Sequence, residues 1–335
     1  MRTSAILLVG GRGTRLLPLT QHTPKPMLEV AGVPFTEHQI RKAAKAGISE
    51  IVLATSYKAE LFEPYFGNGE KFGIKIKYAV ETTALGTGGG IKNAAASLGP
   101  CDQVVIFNGD VLSGHDLAAQ MDFHQKNKAD ITLYLTQVVD ARAYGCVELD
   151  KDNRVKLFLE KMDNPVSNLI NAGCYIFNPS IISSIPSNQV VSVERQTFPS
   201  LIDSKANIFG FVDNSYWLDI GTPAALVKAS ADLVMGKIHS DATPEHANES
   251  LVSDTAQVAT TALIEKGSVI GPEVIVESQS QISGSIIGKG AKIGANCKII
   301  DSIIAPNTQI SAGIIVFSNY LGFQAHILLD INLTY

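Results

Sequence analysis

Cysteine and tryptophan are scarce in this chain, with four and one respectively among 335 residues. Cys101, Cys146, Cys174 and Cys297 lie far apart and form no CxxC pair, which excludes a disulfide framework. They read as reduced, small core side chains, the usage expected of a cytoplasmic protein. No apolar run approaches the roughly 18 residues of a membrane span, and Ala5–Val9 is too short for the core of a secretion signal. Positive charge is not in excess either: 27 Lys and Arg stand against 32 Asp and Glu, a net charge of −5. A chain without a basic field has no general attraction for polyanions, so nucleic acid is not an expected partner. Any phosphate recognition must be local and built into a site.

What is there divides into two kinds of sequence. Up to residue 239, short β-branched runs alternate with helical patterns: Ile6–Val9, Ile51–Ala54, Ile74–Val80 and Val104–Phe107 read as strands. Phe35–Ala46, Thr87–Leu98 and His115–Lys126 read as helices, the first ending at Gly47 as a C-cap. Such alternation predicts an α/β domain whose sheet is mixed and mostly parallel, with ligands bound at the carboxyl ends of its strands. Residues 240–257 open with a polar stretch containing Pro244 and read as a linker. From 258 to 316 an aliphatic residue recurs every six: Val258, Ile264, Ile270, Val276 and Ile282. The register slips by one and resumes with Ile287, Ile293 and Ile299, and again with Ile304, Ile310 and Val316. No helix uses a period of six, whereas a triangular parallel β-helix turns one aliphatic residue inward per side. Residues 317–335 break the pattern in this reading, as a cap or tail over the open coil edge.

The segment after the first strand carries the chemistry. Gly10-Gly11-Arg12-Gly13-Thr14-Arg15 is followed by Pro24-Lys25-Pro26. Glycines allow positive φ and let backbone N–H groups point at a phosphate, while Arg15 and Lys25 add two cations. A Walker A loop is excluded because Thr14-Arg15 follows Gly13, and a dinucleotide fingerprint because Leu16 holds the place of the third glycine.

This loop closely resembles the signature of sugar-nucleotide pyrophosphorylases, the GT-A-like nucleotidyltransferases. The resemblance continues through Leu85-Gly86-Thr87-Gly88, Asn108-Gly109-Asp110, Tyr144-Gly145, Phe158-Leu159-Glu160-Lys161, Asn171-Ala172-Gly173 and Trp217-Leu218-Asp219. It is nearest to the mannose-1-phosphate guanylyltransferase branch, whose members often carry a left-handed β-helix. The resemblance implies a Rossmann-like nucleotidyltransferase sandwich with a Mg²⁺ ion held by Asp110 and Asp219. It implies a nucleotide at Gly10, Gly11, Gly13, Thr14, Arg15, Gly86, Thr87 and Gly88. It places a sugar-1-phosphate at Gly145, Glu160, Lys161, Asn171, Gly173 and Glu194. Arg15, Lys25 and Lys161 are then the catalytic cations. Met162 stands where the family has proline after the lysine. Taken alone, Asp110 reads equally as a turn residue and Glu160-Lys161 as a solvated edge.

Glu81 precedes the glycine run, where a flat base could lie on backbone and the new helix N-terminus would offer open N–H groups. A carboxylate accepts two donors from guanine and only one from uracil or thymine, so Glu81 is the candidate reader of GTP; a surface charge is the plain alternative. Residues 258–316 contain no histidine, against a hexapeptide acyltransferase, and Asn108-Gly109-Asp110 offers only one acid where a glycosyltransferase normally shows Asp-x-Asp. A glucose-1-phosphate enzyme using UTP, dTTP or ATP and a non-catalytic sugar-nucleotide sensor remain open. Solenoid faces in the family commonly pair subunits, so a homo-oligomer is expected.

Overall fold

A computed structural model of the chain describes residues 1–244, 249–321 and, for the backbone, 326–327. The residues group into two compact units that are not consecutive in the chain. One comprises Met1–Gly11 and Gln39–Trp217, the other Arg12–His38 and Leu218–Tyr335.

The first unit is built on a nine-stranded sheet. In chain order its strands are β1 (Thr3–Leu8), β2 (Glu50–Thr55), β3 (Lys75–Val80), β4 (Gln103–Asn108), β5 (Ile131–Gln137), β6 (Gly145–Leu149), β7 (Val155–Glu160), β8 (Leu169–Phe177) and β9 (Ile208–Val212). Strands β4, β1, β2 and β3 run parallel, as expected for buried β-branched runs joined through helices. The other half is antiparallel: β8 pairs β4, β5 and β6, and β6 pairs β7. Parallel pairing returns only where β9 joins β5.

The longer helices are α1 (Phe35–Lys45), α2 (Gly86–Ala95), α3 (Leu117–Lys126) and α4 (Pro223–Val234). Helix α3 starts two residues later than the pattern predicts because Asp116 caps it, its carboxylate accepting from Ala119 N at 2.9 Å. Ile6, Val52, Val104, Ile106, Leu133, Tyr175 and Phe177 are essentially inaccessible and form the centre of the core. All four cysteines are free, and three of them are buried.

The second unit contains the repeat region as three stacks of short parallel strands. Ser250 pairs with Ser268, Gln257 with Ile275 and Leu263 with Gln281, so the first coil takes 18 residues. Later coils take 17, as in Ile286 against Ile303 and Lys298 against Ile315. The missing residue lies in the corner after Ile282 and again after Ile299, which is the physical origin of the register slip. Ser268, Ser285 and Ser302 stack in that corner, each buried, with Ser285 N donating to Ser268 Oγ and Ser302 N to Ser285 Oγ. The inward row from Ile270 to Val316 forms its own apolar core.

The break expected at Phe317 does not occur there. Tyr320–Leu321 pairs with Ile303–Ile304, and His326–Ile327 with Gln309–Ile310. Leu321 follows Val316 by the same five-residue corner step seen earlier, and it is buried. The rest of the expected cap, like part of the expected linker, lies outside the described residues.

Candidate active site

In the first unit, Gly10, Glu81 and Asp110 follow the carboxyl ends of β1, β3 and β4, while Gly145 opens β6 and Asn171 and Gly173 lie within the first five residues of β8. Gly10 and Gly11 leave β1 against Ser56, which follows β2. A side chain on Gly10 would sit 2.9 Å from Ser56 Oγ, and Gly11 N donates to that oxygen at 3.3 Å. Sequence reasoning missed Ser56; its place just beyond a parallel strand was the available signal.

Asn108 ends β4, and Gly109 N donates to Leu8 O at 2.9 Å. A Cβ at Gly109 would lie 2.2 Å from the same carbonyl, so only glycine lets the chain turn there to present Asp110. Helix α1 braces this segment. Gln39 Nε2 donates to the carbonyls of Asn108 and Val111 at 2.8 and 3.2 Å, and Lys42 Nζ to Ser113 O at 2.8 Å. Lys42 also donates to His115 Nδ1 at 3.0 Å. Burial lowers the Lys42 ammonium to about 8 and holds His115 well below its ordinary value, so the ring is neutral. Neither Gln39 nor Lys42 stood out in the sequence, since both read as the polar face of an amphipathic helix.

The antiparallel half supplies the expected sugar side. Gly145 and Glu160 face each other across the β6–β7 pair. A Cβ on Gly145 would come within 2.9 Å of Glu160 Oε2, so the glycine makes room for that carboxylate against backbone. Lys161 follows in the left-handed region at φ 50°, with Nζ 3.7 Å from Glu160 Oε1. Burial raises the Glu160 carboxyl, opposed by Lys161 and reinforced by Glu194. Strand β8 bulges between Asn171 and Tyr175. There Asn171 Nδ2 donates to Tyr175 Oη at 2.8 Å, and Asn171 Oδ1 accepts from Gly173 N at 3.2 Å. Trp217 Nε1 donates to Ala172 O in the same bulge.

The glycine run differs from expectation in one respect. Gly88 N and Gly89 N donate to Val191 O, at 2.8 and 3.4 Å, instead of remaining open. Side chains at Gly86, Gly88 and Gly89 would meet Val191 O at 2.6 Å, Val191 Cγ1 at 2.8 Å and Gln189 O at 2.6 Å. Close backbone packing, as well as any bound base, therefore demands those glycines. A Cβ on Gly90 would instead meet Glu81 Oε1 at 2.5 Å. Glu81 accepts from Leu85 N at 3.3 Å, and burial raises its carboxyl.

The second unit holds Gly13, Thr14, Arg15, Lys25 and Asp219. Gly13 has φ 59°, and a Cβ there would meet Lys25 Cβ at 2.9 Å, so the loop folds back on the lysine stem. Thr20 Oγ1 donates to Gly13 O at 2.9 Å and closes it. The Arg15 guanidinium lies against Gly221, 3.1 Å from where a side chain would start and two residues past Asp219.

Residues 4–235 match the nucleotidyl transferase family, and residues 246–327 match the GMPPB C-terminal domain. This chain is a nucleotidyl transferase. Among curated relatives of this nucleotidyl transferase is "Mannose-1-phosphate guanylyltransferase" from Mycobacterium tuberculosis. It is 49% identical over 284 residues, covering 84% of this chain and 79% of the relative. A rice protein, "Probable mannose-1-phosphate guanylyltransferase 1", is 35% identical over 81% of this chain and 75% of its own length. Among solved structures, a putative glucose-1-phosphate thymidylyltransferase from Bacillus anthracis shares the fold. Its TM-score is 0.63 at 23% identity, over 68% of this chain and 94% of that one.

Members of this family work with a divalent metal. Among the described residues, no three His, Cys, Asp or Glu side chains cluster as a closed cage. Asp110 in the first unit and Asp219 in the second are each hard oxygen donors of the type that an ion of the magnesium class takes. Among the described residues, no helix is long and apolar enough to cross a membrane.

Proposed function

We propose that this nucleotidyl transferase joins GTP to mannose-1-phosphate, giving GDP-mannose and pyrophosphate. The observation that carries the reading is the 49% identity to the mycobacterial mannose-1-phosphate guanylyltransferase along 84% of the chain. The gathering of Gly145, Glu160, Lys161, Asn171, Gly173 and Glu194 at one end of the first unit's sheet supports it.

An oxygen of the sugar phosphate attacks the α-phosphorus of GTP. A phosphorus–oxygen bond forms to the sugar phosphate as the bond to the β-phosphate bridging oxygen breaks, and pyrophosphate leaves in line. The nucleophile is already an anion, so no general base is required; the protein's task is positioning and offsetting charge. Arg15 and Lys25 act on the triphosphate together with the backbone from Gly10 to Thr14. Lys161 binds the phosphate of the incoming sugar phosphate. Glu160, Glu194 and Asn171 bind sugar hydroxyls, with the backbones of Gly145 and Gly173 close against the ring. The turn at Gly86–Gly88 and the Glu81 carboxylate receive the base. Asp110 and Asp219 are the carboxylates that would hold a Mg²⁺ ion, which would neutralise charge at the phosphates. The reading also places the reaction in the cytoplasm, in a homo-oligomer.

Mixing the protein with GTP, mannose-1-phosphate and Mg²⁺ should release pyrophosphate. Absence of release under those conditions, with sugar nucleotide still bound, would instead mark a regulatory sensor.

A further inference from the structure

The contacts of Thr87 are unlike those of a residue that touches only a nucleotide. It is the second residue of α2, inside the glycine run, yet its hydroxyl faces the segment carrying Glu194. Thr87 Oγ1 donates to Glu194 Oε2 at 2.8 Å and accepts from Val193 N at 2.9 Å. Ser192 Oγ donates to the same carboxylate oxygen at 2.9 Å. Neither donor uses Oε1. Backbone ties run in parallel: Gly88 N donates to Val191 O at 2.8 Å and Val191 N to Leu85 O at 2.9 Å. Strand β7, which ends at Glu160, packs against the turn Val193–Thr197 that carries Glu194.

We infer that Thr87 is a positioning residue for the sugar half of the site, orienting the Glu194 carboxylate toward sugar hydroxyls from within the glycine turn. This rests on the reading of Glu194 as a sugar ligand given above. A carboxylate held by two hydroxyl donors on one oxygen keeps its plane fixed and offers the other oxygen in a set direction. Charge-assisted bonds of this kind are stronger than neutral ones, so losing one frees the side chain to rotate. The same links join the turn proposed for the base to the segment proposed for the sugar. Mobility introduced at Thr87 is therefore felt at the second substrate.

Steady-state pyrophosphate release by the full chain tests this. Thr87→Val should raise KM for mannose-1-phosphate about tenfold, the scale of one lost charge-assisted bond, and by clearly more than it raises KM for GTP. Thr87→Ser, which keeps the hydroxyl, should recover most of the loss. Thr87→Val combined with Glu194→Ala should be no worse than Glu194→Ala alone, because Thr87 acts through that carboxylate. Ser192→Ala, which removes the other donor, should show the same one-sided rise if the valine variant folds poorly. A GTP KM that climbs as much as the sugar-phosphate KM, or losses that multiply in the double variant, would overturn the inference. Failure of the wild-type protein to release pyrophosphate would instead undo the proposed reaction.

Discussion

Polar groups are buried for different ends in the two units. In the solenoid, Ser268, Ser285 and Ser302 are buried at one repeated corner and satisfy each other's backbone, coil after coil. No charge is buried in that ladder. In the α/β unit, the buried polar side chains are individual and several are ionisable: Glu50, His115 and His124 are all nearly inaccessible. Lys42 keeps its chain inside and delivers an amine to Ser113. The difference teaches where chemistry resides. A ladder of identical hydroxyls stabilises a repeat, whereas Lys42 and His115 are costly single groups that hold the segment following Asp110.

The largest expected effect sharpens that contrast. Arg15→Ala, Lys25→Ala and Asp110→Ala should each lower kcat/KM by roughly 10² or more, measured by pyrophosphate release. Near-wild-type rates in all three would contradict the proposed phosphate chemistry. Ile299→Ala, in the solenoid core at 0% exposure, should cost about 3 kcal/mol of stability by denaturant unfolding. The folded fraction should keep its kcat/KM; a catalytic loss there would break the comparison.

Lys42 gives a smaller, pH-dependent effect. Its folded value, about 8, lies below the ordinary lysine value of 10.5. Between those values the unfolded chain binds the extra proton, so stability from this group rises with pH. From pH 7.5 to 9.5, wild type should gain about 2 kcal/mol relative to Lys42→Met in urea unfolding. Equal slopes for the two proteins would contradict the buried-amine account. Smallest is Glu81→Gln, which should reduce the preference for GTP over UTP and dTTP about tenfold, the worth of one base contact. An unchanged ratio would leave Glu81 as a surface charge.

The solenoid was legible because its period is local: each inward aliphatic predicts the next, and even the slip after Ile282 marks a real corner. The parallel strands were legible for the same reason, as short buried runs before glycines. The antiparallel half was harder to read, since pairing of β8 with β4, β5 and β6 is set by contacts distant in sequence. Motif residues such as Gly13, Asp110 and Lys161 were visible in the sequence, while their supports were not. Ser56, Gln39 and Val191 act through positions that only the folded backbone brings near. The glycines of 86–90 show the limit most clearly: sequence gave them to a base, and the structure also packs three of them against residues 189–191.

The account turns on which nucleotide and which sugar phosphate this chain joins. Initial rates of pyrophosphate release for GTP, ATP, UTP and dTTP, each with mannose-1-phosphate and with glucose-1-phosphate, address it directly. GTP with mannose-1-phosphate should give the highest kcat/KM of the eight pairs. A maximum at any glucose-1-phosphate pair, or with UTP, dTTP or ATP, would contradict the account.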